Sequence, residues 1–258
     1  MPEHTSTPNY GRPWSRDELI LAFDLYCRIP FQKTKATNPQ VRGLAASLGR
    51  SPASVARKLG NFGAFDPELR KRDISGLSHT SRLDREIWEE FNSNWSALVL
   101  EAHRLRASIC KQSPAVDLPE VPISLSERLV TRKQRVHQAF FRESVLSSYD
   151  YTCCITGVQI PECLVASHIV PWNEDEKFRA DPTNGLCLSA TFHYLFDAGL
   201  VSLSPDLKVC LSRRVLSIRS KNTEEHVGRF HERPMIPPKR FQPSEDRLQW
   251  HRQHVFKG

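Results

Sequence analysis

Three prolines lie in residues 111–124, a stretch with neither helical nor strand periodicity. This pattern is typical of an extended linker, because each proline fixes its own backbone torsion and lacks an amide donor. The 258-residue chain is therefore predicted to contain a part before the linker, residues 1–110, the linker itself, 111–125, and a part after it, 126–258. At a usual domain size of about 150 residues, each part is long enough for a hydrophobic core.

The part before the linker has helical periodicity. Apolar side chains recur at intervals of three and four from Trp14 to Tyr26, and Ser15 with Glu18 three residues later predicts a capping box. Residues 41–59 have the layout of two helices that meet at a tight turn, with Gly49 suited to the left-handed conformation of that turn. We predict a helix-turn-helix-like pair here.

The second of these helices lies in a basic region, since residues 25–65 contain seven Lys or Arg side chains and no acid. Such a local field suits a polyanion. Four polar side chains are expected on the outer side of the helix pair, where they can reach DNA phosphates or base edges: Arg50, Ser54, Arg57 and Lys58. The alternative is an ordinary helical hairpin with solvated basic residues.

Composition excludes several classes of protein. No stretch approaches 18 consecutive apolar residues, and the first residues lack a secretory signal, so we expect a cytoplasmic protein without a membrane partner. The seven cysteines are an odd number without paired Cys-x-x-Cys motifs, and Cys153 and Cys154 are adjacent. These features argue against a disulfide framework and a zinc ribbon.

The chemical signal lies between residues 151 and 203. His193 and Asp197 are four apart in a segment of helical period, so both face one side and can share one divalent ion. His168 ends a strand-like run, and an imidazole there can take a proton from water. Asn184 follows a turn sequence, and its amide can brace the loop that steadies His168.

His168, Asn184 and His193 resemble the His, Asn and His of the HNH endonuclease family, which has a ββα-metal fold. The resemblance covers about residues 130–258, and residues 138–142 and 248–252 resemble its restriction-type branch. The expected fold class is therefore α+β, with a helical amino-terminal domain followed by an HNH nuclease domain with a basic carboxy-terminal extension.

The resemblance implies metal-dependent hydrolysis of a phosphodiester, leaving 5′-phosphate and 3′-hydroxyl ends. In this scheme His168 activates the water, and a metal on His193, with or without Asp197, stabilises the transition state. Mg²⁺ or Mn²⁺ fits best, while Zn²⁺, Ni²⁺ and Co²⁺ stay open because histidine is a ligand. Many family members have a metal ligand directly before the base, whereas this chain has Ser167. Either Asp197 supplies the missing charge, or water and phosphate hold most of the metal.

The expected substrate is double-stranded DNA, cut by a homodimer in which each site handles one strand, in restriction or phage defence. Further phosphate contacts are expected from side chains near the motif: Arg135, Gln138, Arg142 and Arg179. One rival is a DNA-binding regulator in which the same residues hold a structural metal. The other is an RNA-cleaving or toxin nuclease, which differs in substrate rather than mechanism.

Overall fold

The computed structural model describes residues 8, 9, 11–74, 80–109 and 125–258, with backbone alone for 125–132. The chain divides into two compact units, Met1–Phe140 and Phe141–Gly258. The boundary between them falls inside one long helix, and most of the predicted linker, residues 111–124, lies outside the described residues.

The first unit is helical where it is described. Its helices are α1 (Arg16–Arg28), α2 (Pro39–Leu48), α3 (Pro52–Gly63), α4 (Pro67–Lys71), α5 (Arg82–Phe91), α6 (Trp95–Ile109) and the first part of α7 (Leu125–Ser148). The capping box predicted for α1 is present, with both the Ser15 and the Glu18 side chains bonded to backbone amides. Helices α5 and α6 are separated by a short break after Phe91.

Helices α2 and α3 meet at the tight turn that the sequence predicts. Asn38 caps α2, Gly49 ends it with a φ of 60°, and Ser51 caps α3. The buried centre beside this pair is α1, whose residues 19–27 are all buried. Aromatic rings pack around Phe23, including those of Phe62 and Trp88.

The second unit has two antiparallel strand pairs and several helices. The end of α7 is followed by β1 (Leu164–His168), β2 (Gly185–Ser189), α8 (Ala190–Asp197), β3 (Val201–Leu203), β4 (Val209–Leu211), α9 (Arg213–Leu216), α10 (Lys221–His226) and α11 (Glu245–His254). Strand β1 pairs with β2, and His168 lies opposite Gly185. Helix α8 follows β2 directly, so this segment has the order strand, strand, helix.

The core of the second unit lies between these elements. Its buried side chains come from α7, from β1 to β4 and from α8, and they include Val145, Leu186 and Phe192. With its helices and small antiparallel sheets, the chain is an α+β protein, as predicted. No helix in the described ranges is long and apolar enough to cross a membrane.

Candidate active site

The second unit contains a cavity of about 330 Å³ at the junction of β1 and α8. His168, His193 and Asp197, which the sequence predicts to act together, all line it. His168 reaches the cavity from the end of β1, whereas His193 and Asp197 reach it from one face of α8, one turn apart. The fold therefore brings the proposed base and the proposed metal ligands to a common space.

Packing and one hydrogen bond determine how the His168 ring is oriented. The ring stacks on Phe141 with centroids 3.6 Å apart, and the edge of Trp172 lies 5.6 Å away. Nε2 of His168 lies 3.3 Å from the carbonyl oxygen of Arg179. A carbonyl oxygen can accept a hydrogen bond but not donate one, so Nε2 carries the proton and Nδ1 of a neutral ring keeps its lone pair.

The His168 ring is neutral over most of the pH range. Burial lowers the pKa of His168 to about 4, because the surrounding protein solvates an imidazolium less well than water does. The bond to the carbonyl of Arg179 opposes this shift. His168 is consequently unprotonated at neutral pH, as a general base must be, and the same shift makes it a weaker base than an exposed histidine.

Asn184 positions the loop that follows His168. It is fully buried, and its Oδ1 accepts a hydrogen bond from the backbone amide of Val170 at 2.9 Å. Its Nδ2 donates to the carbonyl oxygens of Val170 at 3.0 Å and Phe178 at 3.4 Å. These bonds tie Asn184 to the loop after His168 and direct its side chain to backbone atoms rather than to a reacting group.

The side chains of Ser167, His193 and Asp197 form a compact group near His168. Nδ1 of His193 lies 3.0 Å from Oγ of Ser167 and 3.6 Å from Oδ1 of Asp197. The Ser167 hydroxyl, which is fully buried, donates to Oδ1 of Asp197 at 3.3 Å. Desolvation from partial burial raises the pKa of Asp197, while its neighbours His193 and Ser167 oppose that shift.

The chemistry of this group fits a hard or borderline divalent ion. Imidazole nitrogen and carboxylate oxygen are the donors of mixed N/O metal sites. The described residues contain no cluster of three or more His, Cys, Asp or Glu side chains that could hold a metal, so His193 and Asp197 would share the ion with other oxygen donors.

The predicted phosphate contacts near the motif have different environments. Arg179 lines the loop beside His168, where it pairs with Glu176 and lies over the Trp172 ring. Arg142 is exposed and donates to the carbonyl oxygen of Leu164 at 2.9 Å. The remaining two predicted residues, Arg135 and Gln138, are exposed on α7.

Two predictions for the first unit are wrong, because Arg50 and Lys58 do not lie on its outer side. Arg50 is only 6% exposed and binds both carboxylate oxygens of Glu18, at 2.7 and 2.8 Å. Nζ of Lys58 contacts both oxygens of the buried Asp84 at 2.8 and 2.9 Å. Both cations neutralise carboxylates within the fold.

Ser54 and Arg57 keep an accessible position on the first unit. Both line a polar cavity of about 350 Å³ at the start of α3, together with Arg12 and Trp14. Arg57 is exposed and makes no ion pair within the described part of the chain. Its guanidinium group is therefore available to an anion.

Arg247 and His251 of α11 are not among the site residues that the sequence predicts. His251 is 1% exposed and lines the same cavity as His193 and Asp197. Burial lowers the pKa of His251 to about 4, and a bond to the carbonyl of Phe196 opposes the shift. The sequence signal for this helix is the resemblance of residues 248–252 to the family, and that resemblance assigns no role to His251.

Comparison with known proteins gives one family match, which covers most of the residues around this cavity. The family model described as HNH endonuclease matches residues 153–204, a segment that includes β1, β2 and α8 with His168, Asn184 and His193. The match supports the HNH family for this segment and indicates a nuclease domain that acts on nucleic acid. No curated protein matched the chain.

Proposed function

We propose that the chain is a metal-dependent endonuclease that hydrolyses phosphodiester bonds of double-stranded DNA. The single observation that carries this proposal is the common cavity shared by His168 of β1 and the His193 and Asp197 pair of α8. A base and a metal-binding pair on opposite elements can act on the two sides of one scissile bond. The products would carry 5′-phosphate and 3′-hydroxyl ends.

His168 is the general base in this proposal. Its Nε2–H is held by the carbonyl of Arg179, so its Nδ1 can take a proton from the attacking water. The ring of Phe141 keeps the imidazole from rotating, and Asn184 holds the backbone immediately after it. Orientation of this kind accelerates a reaction because the reacting groups meet already aligned.

His193 and Asp197 would hold the divalent metal, with Mg²⁺ or Mn²⁺ favoured and Zn²⁺, Ni²⁺ or Co²⁺ as alternatives. When bound, the ion supplies positive charge that stabilises the phosphorane and the departing 3′ oxygen. Ser167 links the two side chains through its hydroxyl, which keeps the carboxylate close to the imidazole. A serine at this position is thus a positioning group even though it carries no charge.

DNA contact outside the cavity is proposed for cations and polar groups that are at least partly exposed near each site. On the first unit these are Ser54 and Arg57. On α7 and in the loop beside His168 they are Arg135, Gln138, Arg142 and Arg179. The net charge of +7 favours a polyanionic partner. A homodimer would let two such sites cut the two strands.

Cleavage of supercoiled plasmid with Mg²⁺ or Mn²⁺ tests the proposal. Nicked or linear DNA with 5′-phosphate ends is expected, and the His168→Ala variant should leave the plasmid intact. Intact plasmid with every metal would favour the DNA-binding regulator. Cleavage of structured RNA in preference to DNA would favour the RNA-cleaving or toxin nuclease.

A role in restriction or phage defence, in the cytoplasm, is part of the same proposal. It rests on the resemblance of residues 138–142 and 248–252 to the restriction-type branch. Comparing methylated and unmethylated plasmid tests it, because a restriction enzyme must distinguish host from foreign DNA. Equal cleavage of both, at every site, would argue against this role while leaving the nuclease proposal intact.

A further inference from the structure

Helix α11 lies outside the segment that matches the HNH family model, yet it bonds to residues on both sides of the cavity. Arg247 and His251 are one turn apart on this helix. Arg247 is directed to the turn that supports His168, whereas His251 is directed to the end of α8, which carries His193 and Asp197.

The contacts of Arg247 hold the turn before Asn184. Its Nη2 donates to Oδ2 of Asp181 at 2.6 Å, and its Nη1 donates to Oγ1 of Thr183 at 2.8 Å. The backbone amide of Ser244, just before α11, donates to the carbonyl of Thr183 at 2.9 Å. The next residue, Asn184, bonds the backbone of Val170, two residues after His168. This end of α11 is therefore connected to the loop of the proposed base through Thr183 and Asn184.

The guanidinium group of Arg247 also lies over a ring in the same loop. Its central carbon is 4.2 Å from the centroid of Phe178, the residue directly before Arg179. The Arg179 carbonyl is the group that orients Nε2 of His168. Arg247 therefore restrains both chain segments that determine where the imidazole of His168 points.

The contacts of His251 hold the last turn of α8. Its ring stacks on Phe196 with centroids 3.8 Å apart and planes 10° apart. Nε2 lies 3.2 Å from the carbonyl oxygen of Phe196 and must donate to it, so Nδ1 accepts from the Ser202 hydroxyl at 3.0 Å. Phe196 directly precedes Asp197 and lies three residues after His193.

We propose that Arg247 and His251 are positioning residues of the active site, and that α11 is a brace that sets the spacing between His168 and the pair formed by His193 and Asp197. The inference rests on the proposed nuclease function. Directional bonds from one rigid helix to both sides of the cavity restrict movement of either side relative to the other. Side chains that orient a metal ligand or a base change affinity or rate without touching the substrate.

Three variants of the full chain test the brace. Arg247→Met keeps the length of the side chain and removes its bonds to Asp181 and Thr183. His251→Phe keeps an aromatic ring for stacking and removes both hydrogen bonds.

The matched control is Arg252→Met on the same helix. Arg252 also bonds a backbone carbonyl, that of Leu203, and a carboxylate, that of Glu245. Both partners of Arg252 lie outside β1, α8 and the turn before Asn184.

Each variant is measured for Mn²⁺ binding by calorimetry, for thermal midpoint, and for plasmid cleavage at saturating Mn²⁺. His251→Phe is expected to weaken Mn²⁺ binding by about tenfold or more. Arg247→Met should leave Mn²⁺ binding within about twofold and lower kcat by about tenfold or more, because it acts on the base side. Arg252→Met should lower the thermal midpoint alone.

If the control loses as much kcat or Mn²⁺ affinity as the two test variants, the brace is overturned, since α11 would then only stabilise the fold.

Should His251→Phe fail to fold, Ser202→Ala removes the hydroxyl bonded to Nδ1 and is expected to weaken Mn²⁺ binding by about threefold. Should Arg247→Met fail to fold, Arg247→Lys is used in its place, because lysine keeps the positive charge but lacks the two guanidinium nitrogens that bond Asp181 and Thr183. Wild-type protein that neither binds Mn²⁺ nor cuts any nucleic acid refutes the nuclease proposal itself, whereas an active wild type with unchanged variants refutes the brace alone.

Discussion

The imidazole of His168 lies flat against the ring of Phe141, with centroids 3.6 Å apart and planes only 8° apart. This contact needs the glycine opposite His168 in the strand pair. A Cβ at Gly185 would come 2.9 Å from Cζ of Phe141 and 2.3 Å from a methyl group of Val145. The register of β1 with β2, which places Gly185 opposite His168, and the ring of Phe141 on α7 together fix the position of the proposed base.

The first prediction concerns the base itself. His168→Ala should lower the cleavage rate by about 10²-fold to 10⁴-fold, because a general base typically contributes this much. DNA affinity should stay nearly unchanged, since the ring faces the cavity rather than an extended surface. Gel-based cleavage and DNA binding without metal measure the two quantities. Loss of binding in step with loss of cutting would refute the assignment of His168 as the base.

The second prediction concerns the carboxylate next to His193. Asp197→Asn keeps the size of the side chain and removes its charge, so Mn²⁺ binding should weaken by about 10-fold to 100-fold. Calorimetry and the Mn²⁺ concentration at half-maximal cleavage both report this change. Asp206→Asn is a control, because Asp206 is an exposed carboxylate paired with Lys208 away from the cavity. Unchanged Mn²⁺ affinity in Asp197→Asn would restrict Asp197 to a structural role in α8.

The third prediction is a pH dependence of stability. The pKa of His251 is about 4 in the folded chain and about 6.5 in the unfolded one, so the unfolded state binds more protons between these values. The free energy of unfolding should therefore fall as the pH is lowered from 7 to 5, by about 2 kcal/mol from this residue alone.

Urea denaturation of wild type and His251→Phe at pH 7 and pH 5 measures the effect. The variant lacks the titrating group, so its stability should change less between the two pH values than that of the wild type. An equal change in both proteins would show that His251 is not the source. His168, whose pKa is also lowered, should contribute in the same direction in both proteins.

The fourth prediction separates two arginines of the first unit. Arg50→Met should destabilise this unit by about 3 kcal/mol, because it leaves Glu18 without its buried partner. Arg57→Ala should leave stability nearly unchanged and weaken DNA binding, with the salt dependence of binding reduced by about one phosphate contact. Thermal denaturation and binding titrations at several salt concentrations distinguish the two effects.

The control for Arg57→Ala is Arg42→Ala, which removes an equal charge from an exposed site on α2 outside the polar cavity. An equal loss of affinity in both variants would mean that only the overall charge attracts DNA. A larger loss in Arg57→Ala would support contact at the start of α3.

Much of the local structure could be predicted because its signals act over a few residues. The capping box of Ser15 and Glu18 and the turn at Gly49 depend on hydrogen bonds and torsions between near neighbours. The spacing of His193 and Asp197 likewise places both on one face once a helix forms. The order strand, strand, helix was implied by the resemblance to the HNH family, whereas residues 185–189 carried no strand signal of their own.

The partners of several side chains depended on packing between distant segments. The sequence predicts an outward cation at Arg50, in the turn before α3, but Glu18, 32 residues earlier, binds it inside the fold. His251 lies 55 residues from the carbonyl of Phe196 that it bonds. The sequence around Arg50 or His251 has no periodic pattern that indicates such a distant partner. Local interactions and the family resemblance were therefore enough to predict several elements and the candidate base and metal ligands, while tertiary packing decided which cations stay free and which residues around the cavity α11 bonds.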